Sequence, residues 1–183
     1  MRLLIILAIG LLSACAGTPP EHSTYLLRSD KGVSTRQLSF EHDVYLGGLS
    51  LANYIDKKGL ALDNGGGKIH TAKYHEWAEP LRVSLRQFFS SEISSELGFD
   101  VPPYKPGTEK GQRIDIKIDQ LHGDNNGQAI LVAYWSVSTS AGTSSHQFAD
   151  SLALETDGYD ALVAAERVLL ERLASNIARS IQQ

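Results

Sequence analysis

The chain has 183 residues, 42% of them hydrophobic, with a formal net charge of −4 and a single cysteine. A mildly acidic, evenly mixed chain lacks the basic stripe that nucleic acid requires, and it offers anionic lipid headgroups no cationic surface. The apolar content supports a buried core and excludes a disordered chain. One cysteine excludes an intramolecular disulfide, so the fold rests on packing alone.

In chain order, Met1-Arg2 is a basic start, Leu3 to Leu12 is an apolar run of ten residues, and small residues Ser13-Ala14 precede Cys15. The run is half of the roughly 20 residues that a membrane-spanning helix needs, and the succession of parts is that of a secretory signal. Leu12-Ser13-Ala14-Cys15 resembles the lipobox of bacterial lipoproteins. That resemblance implies cleavage between Ala14 and Cys15, with diacylglycerol on the Cys15 sulfur and an amide-linked acyl chain (palmitate or similar) on its nitrogen. Two or more chains anchor firmly where one binds reversibly. Position 16 is Ala16 rather than aspartate; by the sorting pattern of Gram-negative lipoproteins this implies the outer membrane, with the domain facing the periplasm. The expected division is 1–14 signal peptide, 15–24 lipidated N-terminus and flexible tether, and 25–183 one domain. Loss of Arg2 with the leader takes the formal charge to −5.

Ala16 to Thr24, with Pro19-Pro20, reads as a tether reaching roughly 30 Å when extended. Tyr25-Leu26-Leu27 reads as a short strand and Arg36 to Leu46 as a second strand region, broken by Gly47-Gly48. Leu49 to Leu62 gives no clear pattern. Asp63 to Gly67 reads as a loop and Lys68 to Ala72 as a short strand. Trp77 to Leu97 reads as a helix, with Pro80 in its first turn, Glu76 and Glu79 at its positive end, and an apolar face of Leu81, Leu85, Phe88, Phe89, Ile93 and Leu97. Gly98 caps it and Pro102-Pro103 prevents continuation. Ile114, Ile116 and Ile118 alternate with Asp115, Lys117 and Asp119, which predicts a strand with one apolar and one wet face. Asp124 to Gly127 predicts a hairpin turn, and Ala129 to Val137 a central strand apolar on both faces. A turn at Ser140 to Thr143 leads to a strand from His146 to Leu154. Tyr159 to Ile181 closes the chain as a helix with Leu162, Leu169, Leu173 and Ile177 on one face; Glu166 shares that face and is expected at its rim or, failing that, paired with a basic group. Strands, helix, three-stranded meander and helix make an α+β domain: a mainly antiparallel sheet with two helices packed on one face.

With the lipobox, four stretches resemble the ABC-type transport auxiliary lipoproteins, the family of the paraquat-inducible C lipoproteins. They are Tyr25-Leu26-Leu27 after the tether, the Tyr74-His75-Glu76-Trp77-Ala78-Glu79-Pro80-Leu81 run, Gly127 to Val137, and Tyr159 to Ile181. The second is the specific one. Where family members carry a Tyr-Leu-Asp-Arg-Pro-like run, this chain has Tyr54-Ile55-Asp56-Lys57-Lys58-Gly59 without the proline. The resemblance implies a non-enzymatic accessory component of an MCE-type ABC lipid transport system, docking an MCE-domain transport protein at the outer membrane and assembling as a homo-oligomeric ring. Its only non-protein group is then the covalent lipid on Cys15, with no cofactor and no nucleic acid.

Candidate partner-binding residues are Tyr54 and Ile55, from that segment, together with Trp77 and Trp135, since aromatic side chains dominate interface hot spots. Trp77 also suits a core role as a staple of the helix start onto the sheet, and Tyr134 and Trp135 point to opposite faces of one strand, so at most one of them faces the helices. The other then meets solvent, a second subunit or a loop such as the 49–62 stretch. His70, His75 and Glu76 fit no zinc spacing, Gly65-Gly66-Gly67 lacks the lysine and serine of a phosphate loop, and Asp56-Lys57-Lys58 reads as a solvated charge cluster. Ser144-Ser145-His146 offers the atoms of a hydrolase without its motif. The alternative to the docking component is a lipoprotein that carries a lipid or small hydrophobic ligand in a pocket of its own.

Overall fold

The computed structural model describes residues 20–31, 43–103 and 111–181; Cys15, its lipobox and most of the tether lie outside them. Nine elements follow in order: β1 (Ser23–Tyr25), β2 (Val44–Leu51), β3 (Gly59–Asp63), β4 (Ile69–Trp77), α1 (Leu81–Leu97), β5 (Gln112–Asp124), β6 (Gln128–Thr139), β7 (Gly142–Ala153) and α2 (Tyr159–Ile181). This is the expected α+β class. One seven-stranded sheet runs β1-β4-β3-β5-β6-β7, with β2 also on β5. The sheet is mixed: β3–β4, β5–β6 and β6–β7 are antiparallel, while β1–β4, β2–β5 and β3–β5 are parallel. The strand β5 carries β2 along its first half and β3 at its end, so both halves of the sheet meet on it.

The meander follows the sequence pattern. Ile114, Ile116 and Ile118 point inward beside Leu131, Ala133 and Trp135 of β6. The Asp124 carboxylate closes the hairpin by accepting from the Asn126 and Gln128 amides, at 2.9 and 2.8 Å. Both helices pack on this inner face. Phe88, Phe89 and Ile93 of α1 and Leu162, Leu169, Leu173 and Ile177 of α2 are buried with them in one cluster. Gly98, at φ 77, ends α1 by returning its amide to the Ser94 carbonyl.

Several expectations are corrected. Gly47-Gly48 does not break the second strand; it is a bulge within β2, where the register on β5 shifts between Leu46 and Leu49. The Arg113 and Asp115 side chains lie over the glycines: a Cβ on Gly47 would sit 2.4 Å from the Arg113 Nε, and one on Gly48 2.9 Å from the Asp115 Oδ1, so a larger residue there would displace them. Of the Arg36 to Leu46 region, the structure describes only the part from Asp43 onward. The first strand is Ser23–Tyr25 rather than Tyr25 to Leu27; Leu26 is exposed and Leu27 buried. The helix begins at Leu81, not Trp77, because β4 runs on past Ala72 to Trp77, whose amide bonds the Lys58 carbonyl at 2.8 Å. Pro80 is therefore the N-cap, Glu76 lies in the strand, and no acidic residue stands in the first turn of α1. The 49–62 stretch is the end of β2, the turn from Ala52 to Lys58 and the start of β3, and Tyr134 remains 40% exposed on the open face.

Glu166 is the sharpest correction. It sits not at the rim but 2% exposed inside the core cluster's helix face, and its Oε2 has no hydrogen-bond partner. Burial alone pushes its carboxyl up to about 8, so it is held protonated at neutral pH. A neutral acid buried among leucines removes the desolvation cost of a charge.

Candidate partner surface and the comparisons

The two stretches that carry the specific sequence signals, Tyr54 to Gly59 and Trp77 to Leu81, come together at one corner of the sheet. The chain leaves β2, turns at Ala52 to Lys58 and enters β3, which pairs with β4 from Gly59↔Glu76 onward. Contact here is close: a Cβ on Gly59 would lie 2.0 Å from the Ala72 carbonyl oxygen. Between the turn and the start of α1 lies a surface cleft of about 280 Å³, lined by Asp56, Lys57, Lys58, Trp77, Ala78, Glu79, Pro80 and Leu81. Trp77, 3% exposed, and Leu81, 2%, form its floor. Ala78, Pro80 and the turn's charged residues form the exposed rim.

The corner is bonded from several elements. Lys58 Nζ lies 2.7 Å from the Glu76 Oε2, and His22 Nε2 lies 3.3 Å from the same oxygen. The Lys58 ammonium, ahead of every other influence, holds the Glu76 carboxyl below the usual carboxylate range. Arg82, from α1, donates to the Asp56 carboxylate at 2.5 Å and to the Leu49 carbonyl at 3.3 Å. Arg28 pairs with Glu79, which also accepts from the Ser84 hydroxyl at 2.6 Å; the Arg28 contact is the main reason the Glu79 carboxyl is lowered. The Ala78 amide returns to the Tyr25 carbonyl at 2.8 Å, so β1 is joined to the same corner. From there the Tyr25 hydroxyl donates to the Asp160 Oδ1 at 2.7 Å and meets the His75 Nδ1 at 3.0 Å. Since that hydroxyl gives its proton to a carboxylate, the His75 Nδ1 is the donor toward Tyr25. His75 also stacks on Tyr159 at 4.0 Å, which ties β1 and β4 to the start of α2.

Of the other candidate residues, Ile55 is 3% exposed. Tyr54 is half-buried beside β5, its hydroxyl 2.8 Å from the His122 Nδ1. Burial pushes the Tyr54 phenol up to about 12 and His122 down, so a protonated phenol and a neutral imidazole share this hydrogen bond. Trp135 is remote from this corner, three strands across the sheet on β6. Its indole N–H donates to the Ser180 Oγ at 3.0 Å and its ring stacks on His146 at 4.9 Å. It is 7% exposed, between a cleft of about 350 Å³ on the α2 side and a groove of about 450 Å³ over the open face at Ser50, Lys117 and Tyr134. The turn's ion pairs and Arg82 were not legible as site residues, because their partners lie 18 or more positions away along the chain.

Nothing in these surfaces assembles a catalytic set. The Ser144 Oγ and His146 Nε2 are 3.1 Å apart on the exposed face of β7, but a nucleophile and base need a third group to orient the base, and among the described residues no carboxylate bonds His146. His70 and His75 stand five apart on β4, and among the described residues no group of three or more His, Cys, Asp or Glu could hold a metal ion. No helix among them is long and apolar enough to cross a membrane.

The family model for the ABC-type transport auxiliary lipoprotein component matches residues 25–178, from the end of β1 almost to the end of α2. No curated protein matches the sequence. Among solved structures, the crystal structure of an uncharacterized protein superposes with a TM-score of 0.77 at 21% identity, covering 88% of this chain and 99% of the other. The crystal structure of protein XCC0632 from Xanthomonas campestris, of the DUF330 family, superposes with a TM-score of 0.68 at 13% identity, covering 85% and 92%. At these identities the two structures show a shared fold.

Proposed function

The chain belongs to the family of ABC-type transport auxiliary lipoprotein components, and from that membership we propose that it is the outer-membrane docking component of an MCE-type ABC system that moves lipid between the two membranes. Cys15 carries the lipid anchor, Ala16 directs the protein to the outer membrane, and the tether to Thr24 leaves the domain facing the periplasm. The domain binds the MCE-domain transport protein through the rim of the Trp77 cleft and does no covalent chemistry. The observation that carries this reading is the family match over nearly the whole described fold, with its specific run, Trp77 to Leu81, forming the wall of a surface cleft. The packing favours docking over carriage. Phe88, Phe89, Leu85, Ile93 and Leu169 are fully buried between helices and sheet, and the clefts described are open at the surface, whereas a carrier's pocket buries most of its ligand among apolar side chains.

Crosslinking in intact cells, followed by purification through a C-terminal tag and mass spectrometry, tests the proposal. An MCE-domain protein as the main partner is expected; recovery of the chain alone with stoichiometric lipid would replace docking by carriage. The anchor is tested separately by Cys15→Ala, which is expected to move the protein from the membrane to the soluble fraction with its fold intact. Continued membrane attachment of that variant in cells lacking the transporter would refute the lipid anchor.

A further inference from the structure

The strand β7 ends the sheet, and among the described residues nothing pairs with its outer edge. Its twelve residues keep an unshifted register on β6 from Thr139↔Gly142 to Gln128↔Ala153. Native edges are blunted by lysine, proline or a bulge; the run Gly142 to Ala153 has no lysine and no proline. The direction of the free amides follows from one bond. Leu154 N–H donates to the Gly127 carbonyl at 2.9 Å, in continuation of the β6–β7 register. Residues of an antiparallel ladder alternate between facing the partner strand and facing away, so the main-chain groups of Ser151, Ala149, Gln147 and Ser145 face outward, and of these the Ser151 amide is taken by the Asp150 Oδ1 at 2.8 Å.

The helix α2 stands beside this edge. Arg172 reaches β7 through the Asp150 carboxylate at 2.7 Å, and the exposed Val168 lies one turn before it. At the other end, Arg179 lines the cleft of about 350 Å³ together with Asn176, Ser180, His146 and Gln147. Arg179 is exposed, and the bond it makes among the described residues is to a neutral group, the Asn176 Oδ1 at 2.9 Å. One wall of the groove is therefore main chain that is unpaired among the described residues, and the other is a helix flank that is apolar at Val168 and cationic at Arg179.

We propose that β7 receives an extended acidic segment of a protein partner as an added strand, its main chain bonded to Ser145, Gln147 and Ala149 and one carboxylate held by Arg179. Strand addition takes its affinity from main-chain bonds and its selectivity from alternate side chains. The span from Ser145 to Ala149 accommodates about five residues at roughly 3.4 Å each. A second copy paired β7 to β7 about a two-fold axis near Gln147 fits less well, because it would set the two α2 flanks side by side, Arg179 toward Arg179. This surface is separate from the Trp77 cleft, and the inference does not depend on which transport system the protein serves.

The test uses the purified protein and a phage-displayed library of twelve-residue peptides, with selected sequences resynthesised and titrated by fluorescence anisotropy. Enriched peptides are expected to alternate β-branched residues with at least one glutamate or aspartate. Ala149→Pro, which removes an outward amide without touching the β6 ladder, should weaken their binding at least tenfold. Arg179→Glu should weaken it at least fivefold and recover it for a peptide whose acid is changed to lysine. Amide exchange at Ser145, Gln147 and Ala149 should slow at least tenfold on binding. If Ala149→Pro does not fold, the charge exchange at Arg179 and the amide exchange still decide. Absence of enriched peptides, enrichment of peptides without an acid, or binding indifferent to Arg179 and to the edge amides would overturn the proposal. So would a concentration-dependent dimer that Ala149→Pro dissociates, which would give the edge to a second copy.

Discussion

The two tryptophans are almost equally buried, yet the regions around them differ in kind. Trp77 closes a corner where five segments of chain meet and where three of the charges at the rim are matched within the molecule, Lys58 by Glu76, Asp56 by Arg82 and Glu79 by Arg28, while the exposed Lys57 has no carboxylate beside it among the described residues. Trp135 lies next to the sheet's free edge, between two open clefts, with unpaired main chain and an arginine that has no carboxylate among the described residues beside it. Burial of an aromatic side chain thus does not locate a binding surface. In the proposed docking, the Trp77 corner offers the shape of its rim and the Lys57 ammonium. In the proposed strand addition, the Trp135 flank offers backbone groups and the Arg179 charge.

The largest expected effect separates the two tryptophans. Trp77→Ala should cost about 3–5 kcal/mol of stability, read by denaturant unfolding, because the corner cannot close over the space. Trp135→Ala should cost less than that, since water and neighbours enter from the clefts. Equal losses would break the distinction between a stitched corner and an open flank.

The next effect concerns the core that both regions share. The folded-state pKa of Glu166, about 8, exceeds that of an unfolded glutamate, so between pH 4.5 and 8 the folded chain holds a proton that the unfolded chain has lost. Stability should then fall as pH rises through that window by up to roughly 1.4 kcal/mol per pH unit, and Glu166→Gln should abolish that part of the slope. An unchanged slope would mean that the carboxyl is solvated or paired.

The smallest effect sharpens the comparison at the rim. Arg82 and Asp56 are each more than a third exposed, and exposed pairs contribute about 0–1 kcal/mol. Arg82→Ala should therefore leave the melting temperature nearly unchanged while weakening partner capture, because it frees the turn that forms one wall of the cleft. A large stability loss without loss of partner would make the turn a structural strut only.

Much of this fold is legible in the sequence where the signal is local. The alternation from Ile114 to Ile118, the Asn-Gly turn, the apolar stripe of Tyr159 to Ile181 and the Gly98 cap each depend on neighbours in the chain. What depends on distant partners is not. The strand β4 extends to Trp77 because Lys58 supplies an acceptor for its amide, and no property of residues 73–77 announces that. Gly47-Gly48 reads as a break until Arg113 and Asp115 are seen above it. The parallel pairing of β2 and β3 on β5 joins segments some 60 residues apart. Glu166 reads as a rim residue because its stripe position says nothing of how deeply the sheet buries it. The candidate residues were legible as types, but the convergence of Tyr54 to Lys58 with Trp77 to Leu81 is a product of the β3–β4 hairpin. The free edge of β7 is a property of strand order alone.

The most direct test of the docking account is a photo-crosslinking amino acid placed at Lys57, on the exposed rim of the Trp77 cleft, in cells expressing the lipidated protein. The account predicts a covalent adduct whose partner, identified by mass spectrometry, is an MCE-domain protein of an ABC transport system. Crosslinks from Lys57 to lipid alone, or to no protein at all while the chain is folded and membrane-bound, would contradict it.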